Sequence, residues 1–537
     1  MKFLLCLWSA AALLTLASRA QDPAPDLAAS PVANVARPDP ALPTIFIAGD
    51  STAAKANGNP LQGWGEPFAD FFDRTKINVA NRARGGRSSR TFITEGHWDR
   101  LLAEVKTGDI VLIQFGHNDG GAINGEPPSS TRPLRARGSL PGLGEESAEI
   151  DNLVTGQRET VRTFGWYLRK MIADVTAKGA TPILLSLTIR DRWTDGKIER
   201  SSGRYRSWSR EIAAQAGVPF VDHSRIVADQ FQALGEAGVK ALYGPDHTHT
   251  NGAGAEFHAA GVVAGLKGLR PSQKYDGYFS ASGRTVEPDA IGWLNLPEPV
   301  EPKRPSILLI GDSTVRNGRG DGAGGQWGWG DFLGSRFDPA KVNLVNRAVG
   351  GLSSRTFRTQ GHWRRALMLI KPGDVVLIQF GHNDAAALND AQRARGTIRG
   401  AGEETESIDN LLTKQPEVVH SYGWYLRRYV REARAAGATP VVCSLVPRKI
   451  WKDGRVARAA EGYGGWARQV ATEEGAAFLD LNELVAARYE AEGEAKVNAL
   501  FADAHTHTNR DGAELNAAIV TAALRALPGD PFGAWAR

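Results

Sequence analysis

Short runs of apolar and β-branched residues alternate with longer amphipathic stretches along this chain. In the first half, the runs that predict strands are 44–48, 77–80, 109–115, 181–187 and 218–221. Residues 159–178 carry apolar side chains at helical spacing, and the stretch ends at Gly179, a residue type that commonly terminates helices. Strands that alternate with helices predict βαβ units around a mainly parallel sheet.

The whole pattern occurs twice. The segments IFIAGDST, NRARGGRSSRTF, GDIVLIQFGHND and FGWYLRK return in the same order as ILLIGDST, NRAVGGLSSRTF, GDVVLIQFGHND and YGWYLRR. Solenoid repeats have periods of roughly 20 to 50 residues, so this longer repeat indicates duplication of a complete domain. We place the domains at 44–270 and 305–527, joined by a linker at 271–304 that is rich in proline, alanine and acidic residues. The linker segment YDGYFSASGRTVEP has enough aromatic residues to dock on a domain surface.

The N-terminal residues 1–20, MKFLLCLWSAAALLTLASRA, combine one lysine, an apolar run and small residues at its end. This pattern is typical of a secretory signal peptide cleaved before Gln21, with an extended leader following at 21–43. The alternative is an uncleaved membrane anchor. We expect a secreted or periplasmic protein that is free of the membrane after cleavage. Cys443 is the only cysteine beyond the signal, so no internal disulfide is possible, and its strand-like context predicts a buried position.

Composition limits the class of partner. The chain has 537 residues, of which 42% are hydrophobic and 23% charged, and 64 Lys and Arg face 59 Asp and Glu for a net charge of +5. The positive excess is spread along the chain without runs of like charge. It favours an anionic substrate weakly and argues against a nucleic-acid partner, whose binding proteins cluster basic residues on one element.

Three motifs end predicted strands and carry hydrogen-bond donors. They are GDST, the GG pair of GGRSSRTF or GGLSSRTF, and GHND, which contribute Ser51, Gly86 and Asn118 in the first copy and Ser313, Gly351 and Asn383 in the second. Because the carboxyl ends of parallel strands meet at one sheet edge, these donors could form an oxyanion hole. Taken singly, the serine could be a helix N-cap, the glycine a tight turn and the asparagine an Asx turn.

A base for the serine, and a group that orients it, occur late in the first copy. In GPDHTHTNG, Asp246 and His249 stand three residues apart, and a serine needs such a pair to act as a nucleophile. The G-x-S-x-G signature of other serine hydrolases is absent. An alternative takes His247 and His249 as a metal-binding pair. No third ligand stands at a repeated spacing nearby, so we predict no metal.

Together, GDST, GGRSSRTF, GHND and DHTHTN resemble the four sequence blocks of SGNH/GDSL hydrolases, and within them the rhamnogalacturonan acetylesterases. The resemblance covers both copies. It implies two flavodoxin-like, three-layer α/β/α domains that remove O-acetyl groups from pectic polysaccharide without metal or cofactor. It also implies roles: Ser51 is the nucleophile, His249 the base, Asp246 orients the base, and Ser51, Gly86 and Asn118 donate to the oxyanion. The matching residues of the second copy are Ser313, His507, Gly351 and Asn383.

The second copy departs from this pattern at one position. FADAHTHTNRDG has Ala504 where the first copy has Asp246, and Asp503 stands one residue earlier. One residue is about 3.5 Å of chain and turns the side chain, so Asp503 need not reach His507. Three interpretations stay open: a weaker Ser–His dyad, a site rescued by Asp503, or a domain retained for binding or packing.

Two features suggest how substrate could be held. A long polar loop follows GHND in each copy and contains RARG, so Arg135, Arg137, Arg393 and Arg395 could bind sugar carboxylates. They could equally pair with Glu145, Glu146, Glu403 and Glu404 of the same loops. Trp64 and Trp327, with the neighbouring Trp329, could stack on a sugar ring or belong to the core.

The sequence therefore predicts an exported carbohydrate O-acetylesterase with acetylated polysaccharide as its partner. Two alternatives remain. A lipid or lysophospholipid esterase on the same fold would need an apolar acyl groove, and a carbohydrate-binding protein would keep at most one working site.

Overall fold

In the computed structural model, the described residues are 39–55, 60–125, 134–200, 203–271 and 275–537. The predicted signal peptide at 1–20 and the leader up to residue 38 lie outside them.

Each sequence copy folds around its own five-stranded sheet, and every strand pair in these two sheets is parallel. The first sheet has the order β2-β1-β3-β6-β9 and consists of β1 (Thr44–Gly49), β2 (Asn78–Asn81), β3 (Ile110–Gln114), β6 (Thr181–Leu185) and β9 (Phe220–Val221). The second has the order β11-β10-β12-β15-β18 and consists of β10 (Ser306–Gly311), β11 (Asn343–Asn346), β12 (Val375–Gln379), β15 (Thr439–Cys443) and β18 (Ala477–Leu479). The predicted parallel α/β domains are confirmed.

Helices flank both sheets. Those of the first copy are α1 (Ser89–Thr94), α2 (His97–Glu104), α3 (Phe164–Ala177), α4 (Tyr205–Ala216), α5 (His223–Leu234), α6 (Glu236–Lys240), α7 (Gly252–Gly268) and α8 (Ala281–Thr285). Those of the second are α9 (Ser354–Thr359), α10 (His362–Leu367), α11 (Tyr422–Ala435), α12 (Tyr463–Glu473), α13 (Leu481–Glu492), α14 (Glu494–Asn498) and α15 (Arg510–Arg525). Short 3-10 turns occur at Pro67–Phe71, Asp276–Tyr278, Gly292–Leu294, Ala323–Gly325, Trp329–Asp331, Gly334–Arg336 and Gly533–Trp535.

Both faces of each sheet are buried, which explains why its strands are continuously apolar. In β1, Ile45 and Ile47 pack into the core that contains Val262 of α7. The residues between and after them, Phe46 and Ala48, point the other way, into the core that contains α3, as the alternation of side chains along a strand requires. The second sheet divides its side chains between two cores in the same way. Each domain therefore has three layers, with the sheet between two layers of helices. The loops that follow the strands lie at the carboxyl edge of the sheet.

One predicted helix begins too early. The expectation of helix over 159–178 is wrong at its start, because Arg158–Arg162 is strand β5 and pairs in antiparallel fashion with β4 (Ser147–Asp151). The Thr163 hydroxyl then accepts a 3.0 Å hydrogen bond from the Trp166 N–H and caps α3. The second copy has the equivalent hairpin, β13 (Thr405–Asp409) and β14 (Pro416–His420). Smaller hairpins follow later: β7 (Trp193–Thr194) with β8 (Lys197–Ile198), and β16 (Trp451–Lys452) with β17 (Arg455–Val456).

The segment between the two domains packs against both of them. Tyr275 and Phe279 are buried in the first domain's core, whereas Leu294 and Leu296 are buried in the second domain's core. Glu298, which is 8% exposed, pairs with arginines of the first domain. The connection therefore holds the domains through apolar and ionic contacts along much of its length.

Candidate active sites

The nucleophile position is built the same way in both domains. Ser51 follows β1 and Ser313 follows β10. The aspartate before each serine closes a turn in which its Oδ1 accepts hydrogen bonds from the N–H and hydroxyl of the threonine after the serine, at 2.9 and 2.8 Å in both copies. The turn fixes the serine at the carboxyl edge of the sheet, where the sequence predicted it.

In the first domain the three predicted catalytic side chains form one hydrogen-bonded chain. The Ser51 Oγ lies 2.9 Å from the His249 Nε2, and the His249 Nδ1 lies 2.8 Å from the Asp246 Oδ2. A carboxylate can only accept, so Nδ1 carries the proton and Nε2 is left to accept the serine proton. Partial burial raises the pKa of Asp246, but hydrogen bonds from His249 and Thr248 outweigh it and hold the pKa below its usual value. The aspartate is therefore ionised wherever the histidine can act as a base.

The second domain has the same chain of contacts, with Asp503 as its acid. The Ser313 Oγ lies 2.9 Å from the His507 Nε2, and the His507 Nδ1 lies 2.5 Å from the Asp503 Oδ2. Partial burial raises the pKa of Asp503, but hydrogen bonds from the backbone of His507 and Thr506 and from the His507 ring lower it to about 2. Asp503 thus reaches the imidazole, so the contacts match the interpretation of a site rescued by Asp503 and not that of a Ser–His dyad.

The reason lies in the loop backbone. Each catalytic loop is closed by an antiparallel bridge, Tyr243 with Thr250 and Phe501 with Thr508, so the two loops have the same length and the aspartate has changed place within it. The Oδ1 of Asp246 accepts from the N–H groups of Thr248 and His249, at 2.7 and 2.8 Å. The Oδ1 of Asp503 accepts from the equivalent N–H groups, at 2.7 and 3.0 Å. The same backbone donors capture the carboxylate from two neighbouring positions.

The histidine loop is also tied to the nucleophile loop. The Gln62 N–H donates to the Thr250 carbonyl at 2.8 Å, and the Trp327 N–H donates to the Thr508 carbonyl at 2.9 Å. These bonds lie one residue beyond the catalytic histidines. They set the distance between base and nucleophile by backbone contacts.

The predicted oxyanion donors of the first domain, Gly86 and Asn118, line one cleft with Ser51, and those of the second domain have matching local geometry. Gly86 has φ +77° and Gly351 has φ +83°, a left-handed conformation that favours glycine. The Asn118 Nδ2 donates to the Arg87 carbonyl at 2.9 Å, and the Asn383 Nδ2 makes the equivalent bond to the Leu352 carbonyl at 2.8 Å. Each asparagine is thus held against the residue that follows its glycine, with a second amide hydrogen left to donate.

Sequence reasoning missed the aspartate of GHND, which holds the oxyanion loops together. The buried Asp119 accepts from the Ser89 N–H at 3.1 Å and from its hydroxyl, and Asp384 accepts from Ser354 in the same way. Burial raises the pKa of Asp119 to about 6 and that of Asp384 to about 7, against the opposing effect of these hydrogen bonds. The recurrence of the aspartate in both GHND motifs was the available signal.

One RARG arginine of each domain donates a hydrogen bond to an oxyanion element, and two of the predicted glutamate partners pair with other arginines. The Arg137 Nη1 donates to the Asn118 Oδ1 at 2.6 Å, and the Arg395 Nη1 donates to the Gly351 carbonyl at 2.7 Å. Glu145 pairs with Arg169 instead, and Glu403 with Arg427 at 2.6 Å. Arg135 lines the first cleft and Arg393 a smaller one in the second domain.

A cleft of about 990 Å³ opens over the first site. Its walls include the three catalytic residues, both RARG arginines and four further arginines that sequence reasoning did not single out, Arg87, Arg158, Arg190 and Arg192. Arg190 and Arg192 follow β6 in the segment IRDRW. The Arg190 Nε is buried and has no hydrogen-bond partner among the described residues.

The predicted role of Trp64 in substrate binding is wrong. Its side chain is fully buried, and its Nε1 donates to the Gln114 Oε1 at 2.7 Å. Trp329 occupies the same place in the second domain, 2.9 Å from the Gln379 Oε1. An indole with a polar partner inside the core fills the space beneath the nucleophile turn. Trp327 is half-buried and packs on Phe332, and its contact with sugar stays a prediction.

The alternative of a histidine metal pair finds no support in the geometry. His249 uses both ring nitrogens for Ser51 and Asp246. The His247 Nε2 lies 2.7 Å from the Arg192 Nη2, so a cation already occupies the position that a metal would need. Among the described residues no cluster of three potential metal ligands occurs. No helix in this part of the chain is long and apolar enough to cross a membrane.

Comparison with known proteins agrees with this geometry. The model of the GDSL-like Lipase/Acylhydrolase family matches the chain twice, at residues 47–257 and 309–515. A rhamnogalacturonan acetylesterase of Emericella nidulans is 35% identical over 216 residues, which are 40% of this chain and 81% of that protein. The probable rhamnogalacturonan acetylesterase YesY of Bacillus subtilis is 32% identical over 226 residues, 41% of this chain and 93% of its own length.

With most of its length matched by the family model, the chain belongs to the GDSL-like lipase/acylhydrolase family, in two tandem domains. It is an ester hydrolase, and the relatives place it among the acetylesterases of that family.

Proposed function

We propose that the protein is a carbohydrate O-acetylesterase with two working Ser-His-Asp sites, and that it removes acetyl groups from pectic polysaccharide of the rhamnogalacturonan type. The observation that carries the proposal is the pair of complete hydrogen-bonded triads, each beside a glycine and an asparagine that can bind an oxyanion. Two working sites follow from the second triad being as complete as the first.

The mechanism follows from the contacts. The serine Oγ attacks the acetyl carbonyl carbon while the histidine Nε2 takes its proton, and the aspartate stabilises the resulting imidazolium. Negative charge develops on the former carbonyl oxygen, where the serine and glycine N–H groups and the asparagine amide can stabilise it. The imidazolium gives this proton to the sugar oxygen as the bond between that oxygen and the acetyl carbon breaks, so the sugar leaves with a free hydroxyl and an acetyl-serine remains. A water molecule, deprotonated by the same histidine, then attacks the acetyl carbonyl carbon; the bond to the serine Oγ breaks, the imidazolium returns the proton to the serine, and acetate leaves.

The substrate class is supported by two observations. The first cleft is lined by arginines, and guanidinium groups bind carboxylates such as those of uronic acids well. Relatives more than 30% identical carry the name rhamnogalacturonan acetylesterase.

The two alternative functions, a lipid esterase and a carbohydrate-binding protein, lose support. The polar, charged walls of the first cleft do not suit a lipid acyl chain, and a carbohydrate-binding protein would have no use for two complete triads. Export to the periplasm or the exterior, through the N-terminal segment at 1–20, is part of the proposal. A polysaccharide substrate would be encountered in one of these compartments.

The first test is acetate release from acetylated rhamnogalacturonan by the Ser51→Ala and Ser313→Ala variants. We expect each to keep part of the wild-type rate and the double variant to lose it. If Ser51→Ala alone abolishes acetate release, the second site does not work on this substrate. If the wild-type protein releases no acetate from any acetylated pectin, the substrate assignment fails.

A further inference from the structure

The walls of the two active sites differ in the side chains that they present, although their backbones match. Positions around the first site carry arginine where the second site carries an apolar residue. The pairs are Arg87 and Leu352, Arg192 and Ile450, and Arg158 and Pro416. Each arginine has a carboxylate partner, which is Glu95, Glu199 and Glu149 respectively. The second copy has Gln360, Ala457 and Ser407 in place of these carboxylates, so the two sites differ in the guanidinium groups that they offer and not in net charge at these positions.

The first pair follows the oxyanion glycines. Position 87 and position 352 are held by the same bond, in which the residue's carbonyl accepts from Asn118 or Asn383. Their side chains therefore leave the backbone at the same place beside the reacting ester. Arg87 holds its guanidinium against Glu95, with its Nε 2.8 Å from the Glu95 Oε2, whereas Leu352 packs its side chain against the second domain's core.

The second pair stands beside the histidine loops. The Arg192 N–H donates to the Arg190 carbonyl at 2.9 Å, and the Ile450 N–H donates to the Arg448 carbonyl at 2.8 Å, so these positions correspond as well. Arg192 reaches His247, two residues from the catalytic base. Ile450 is 45% exposed, which leaves an apolar surface at the lip of the second site.

The third pair opens the second strand of the hairpin that borders each site. Arg158 pairs in register with Asp151, and Pro416 pairs with Asp409. Arg158 lines the first cleft and makes only loose ion pairs of 3.5 Å with hairpin carboxylates. It is free to turn toward an anionic ligand.

The second domain has Lys449 where the first has Asp191, but the contacts of this lysine differ from those of the arginines. Lys449 points its ammonium to the Phe501 ring, 5.2 Å from the centroid, and toward the Asn498 carbonyl at 3.4 Å. Lys414 stands at the exposed hairpin turn in place of Gly156. Arg393, Arg395 and Arg448 have arginine counterparts in the first copy and therefore cannot distinguish the two sites.

We propose that the two sites divide the substrate by charge: the first deacetylates sugar residues next to a free carboxylate, and the second deacetylates residues whose surroundings are uncharged, such as methyl-esterified uronate or neutral sugar. This rests on the proposed function and deepens it. An arginine at the lip binds a carboxylate through charge-assisted hydrogen bonds. An isoleucine or leucine there would strip water from the carboxylate without compensation, but packs favourably on the apolar face of a sugar or on a methyl ester.

The test uses the full-length protein with one site silenced at a time. Ser313→Ala reports on the first site and Ser51→Ala on the second. Each is given acetylated galacturonan oligosaccharides with free carboxylates, or the same oligosaccharides as methyl esters, and acetate release is measured. We expect the first site to prefer the free acid by about tenfold in kcat/KM, less at high salt. We expect the second to show no preference for the acid or a preference for the ester.

Exchanging one lip residue sharpens the test. Arg192→Ile in the Ser313→Ala protein should lower the preference for the free acid about threefold, mainly through KM, and Ile450→Arg in the Ser51→Ala protein should raise it similarly. Arg74→Ile is the matched control, because it removes an exposed arginine from the loop before β2, at the amino-terminal edge of the sheet. It should leave the preference unchanged.

The outcomes separate this inference from the proposed function. Acetate release from neither substrate by the wild-type protein contradicts the proposed function. Two outcomes overturn the division by charge and leave the proposed function standing. In the first, both single-site proteins release acetate with the same ratio of acid to ester. In the second, a folded Ser51→Ala protein releases acetate from neither oligosaccharide. An equal effect of Arg74→Ile and Arg192→Ile would also overturn this division, since general electrostatics would then be the cause.

Discussion

In the first catalytic loop the aspartate stands three residues before the histidine, and in the second it stands four residues before it. Both carboxylates nevertheless meet the same histidine nitrogen and the same backbone N–H groups. The loops share their closing bridges, so the N–H groups that define the carboxylate site stay in place when its parent residue changes. A triad acid is thus specified by the donors that surround it, and sequence position is a weaker guide.

The largest expected effect tests that comparison directly. In the Ser51→Ala protein, Asp503→Ala should lower kcat for acetate release by about 10³- to 10⁴-fold, because the imidazole loses both its orientation and its stabilising charge. The double change Asp503→Pro with Ala504→Asp rebuilds the first loop's arrangement and should restore most of the rate. If Asp503→Ala retains nearly full kcat, the second site works as a dyad after all.

A smaller loss is expected at the oxyanion asparagines. Asn118→Ala in the Ser313→Ala protein, and Asn383→Ala in the Ser51→Ala protein, should each lower kcat by about 10²- to 10³-fold with little change in KM, because the donor acts on charge that exists only in the transition state. Steady-state kinetics on an acetyl ester measure both constants. Unequal losses would mean that the two holes are not equivalent, despite their matching contacts.

The buried aspartates of GHND predict a pH dependence of stability. Their folded pKa values, about 6 for Asp119 and about 7 for Asp384, lie above the ordinary value of 3.8, so the folded protein binds these protons more tightly. Their contribution to stability is complete below about pH 4 and is lost as the pH rises through those values. The loss is on the order of 3 kcal/mol for Asp119 and 4 kcal/mol for Asp384.

Asp119→Asn and Asp384→Asn should flatten this decline. Urea unfolding measured from about pH 4 to 8 would reveal it, with the larger change for Asp384→Asn. Identical pH slopes in the wild-type protein and both variants would contradict the raised pKa values.

The smallest effect separates core from substrate contact. Trp64→Phe and Trp329→Phe each leave a buried glutamine oxygen without its indole donor, which should cost about 1–3 kcal/mol of unfolding free energy. Thermal unfolding measures the cost. A rise in KM for polysaccharide at unchanged stability would restore the role in substrate binding that burial argues against.

Much of the site could be predicted from the sequence because its chemistry is local. Ser51, Gly86 and Asn118 each follow a buried strand, and parallel strands bring their carboxyl ends to one edge whatever the packing around them. The same motifs recur at Ser313, Gly351 and Asn383, so the site of the second domain could be predicted in the same way. The strand at Arg158–Arg162 escaped prediction because its pairing partner, and not its own spacing, determines its structure.

The sequence by itself determined that two α/β domains stand in tandem and which serines and histidines meet in each, since apolar periodicity and strand order follow from side-chain chemistry alone. Only the tertiary structure decided that Asp503 completes the second triad, that Trp64 belongs to the core, and that Arg192 and Ile450 occupy equivalent lips. Those outcomes depend on where backbone N–H groups, the hydrophobic core and the loops around the site lie relative to one another. Such positions arise from contacts between residues far apart in the chain.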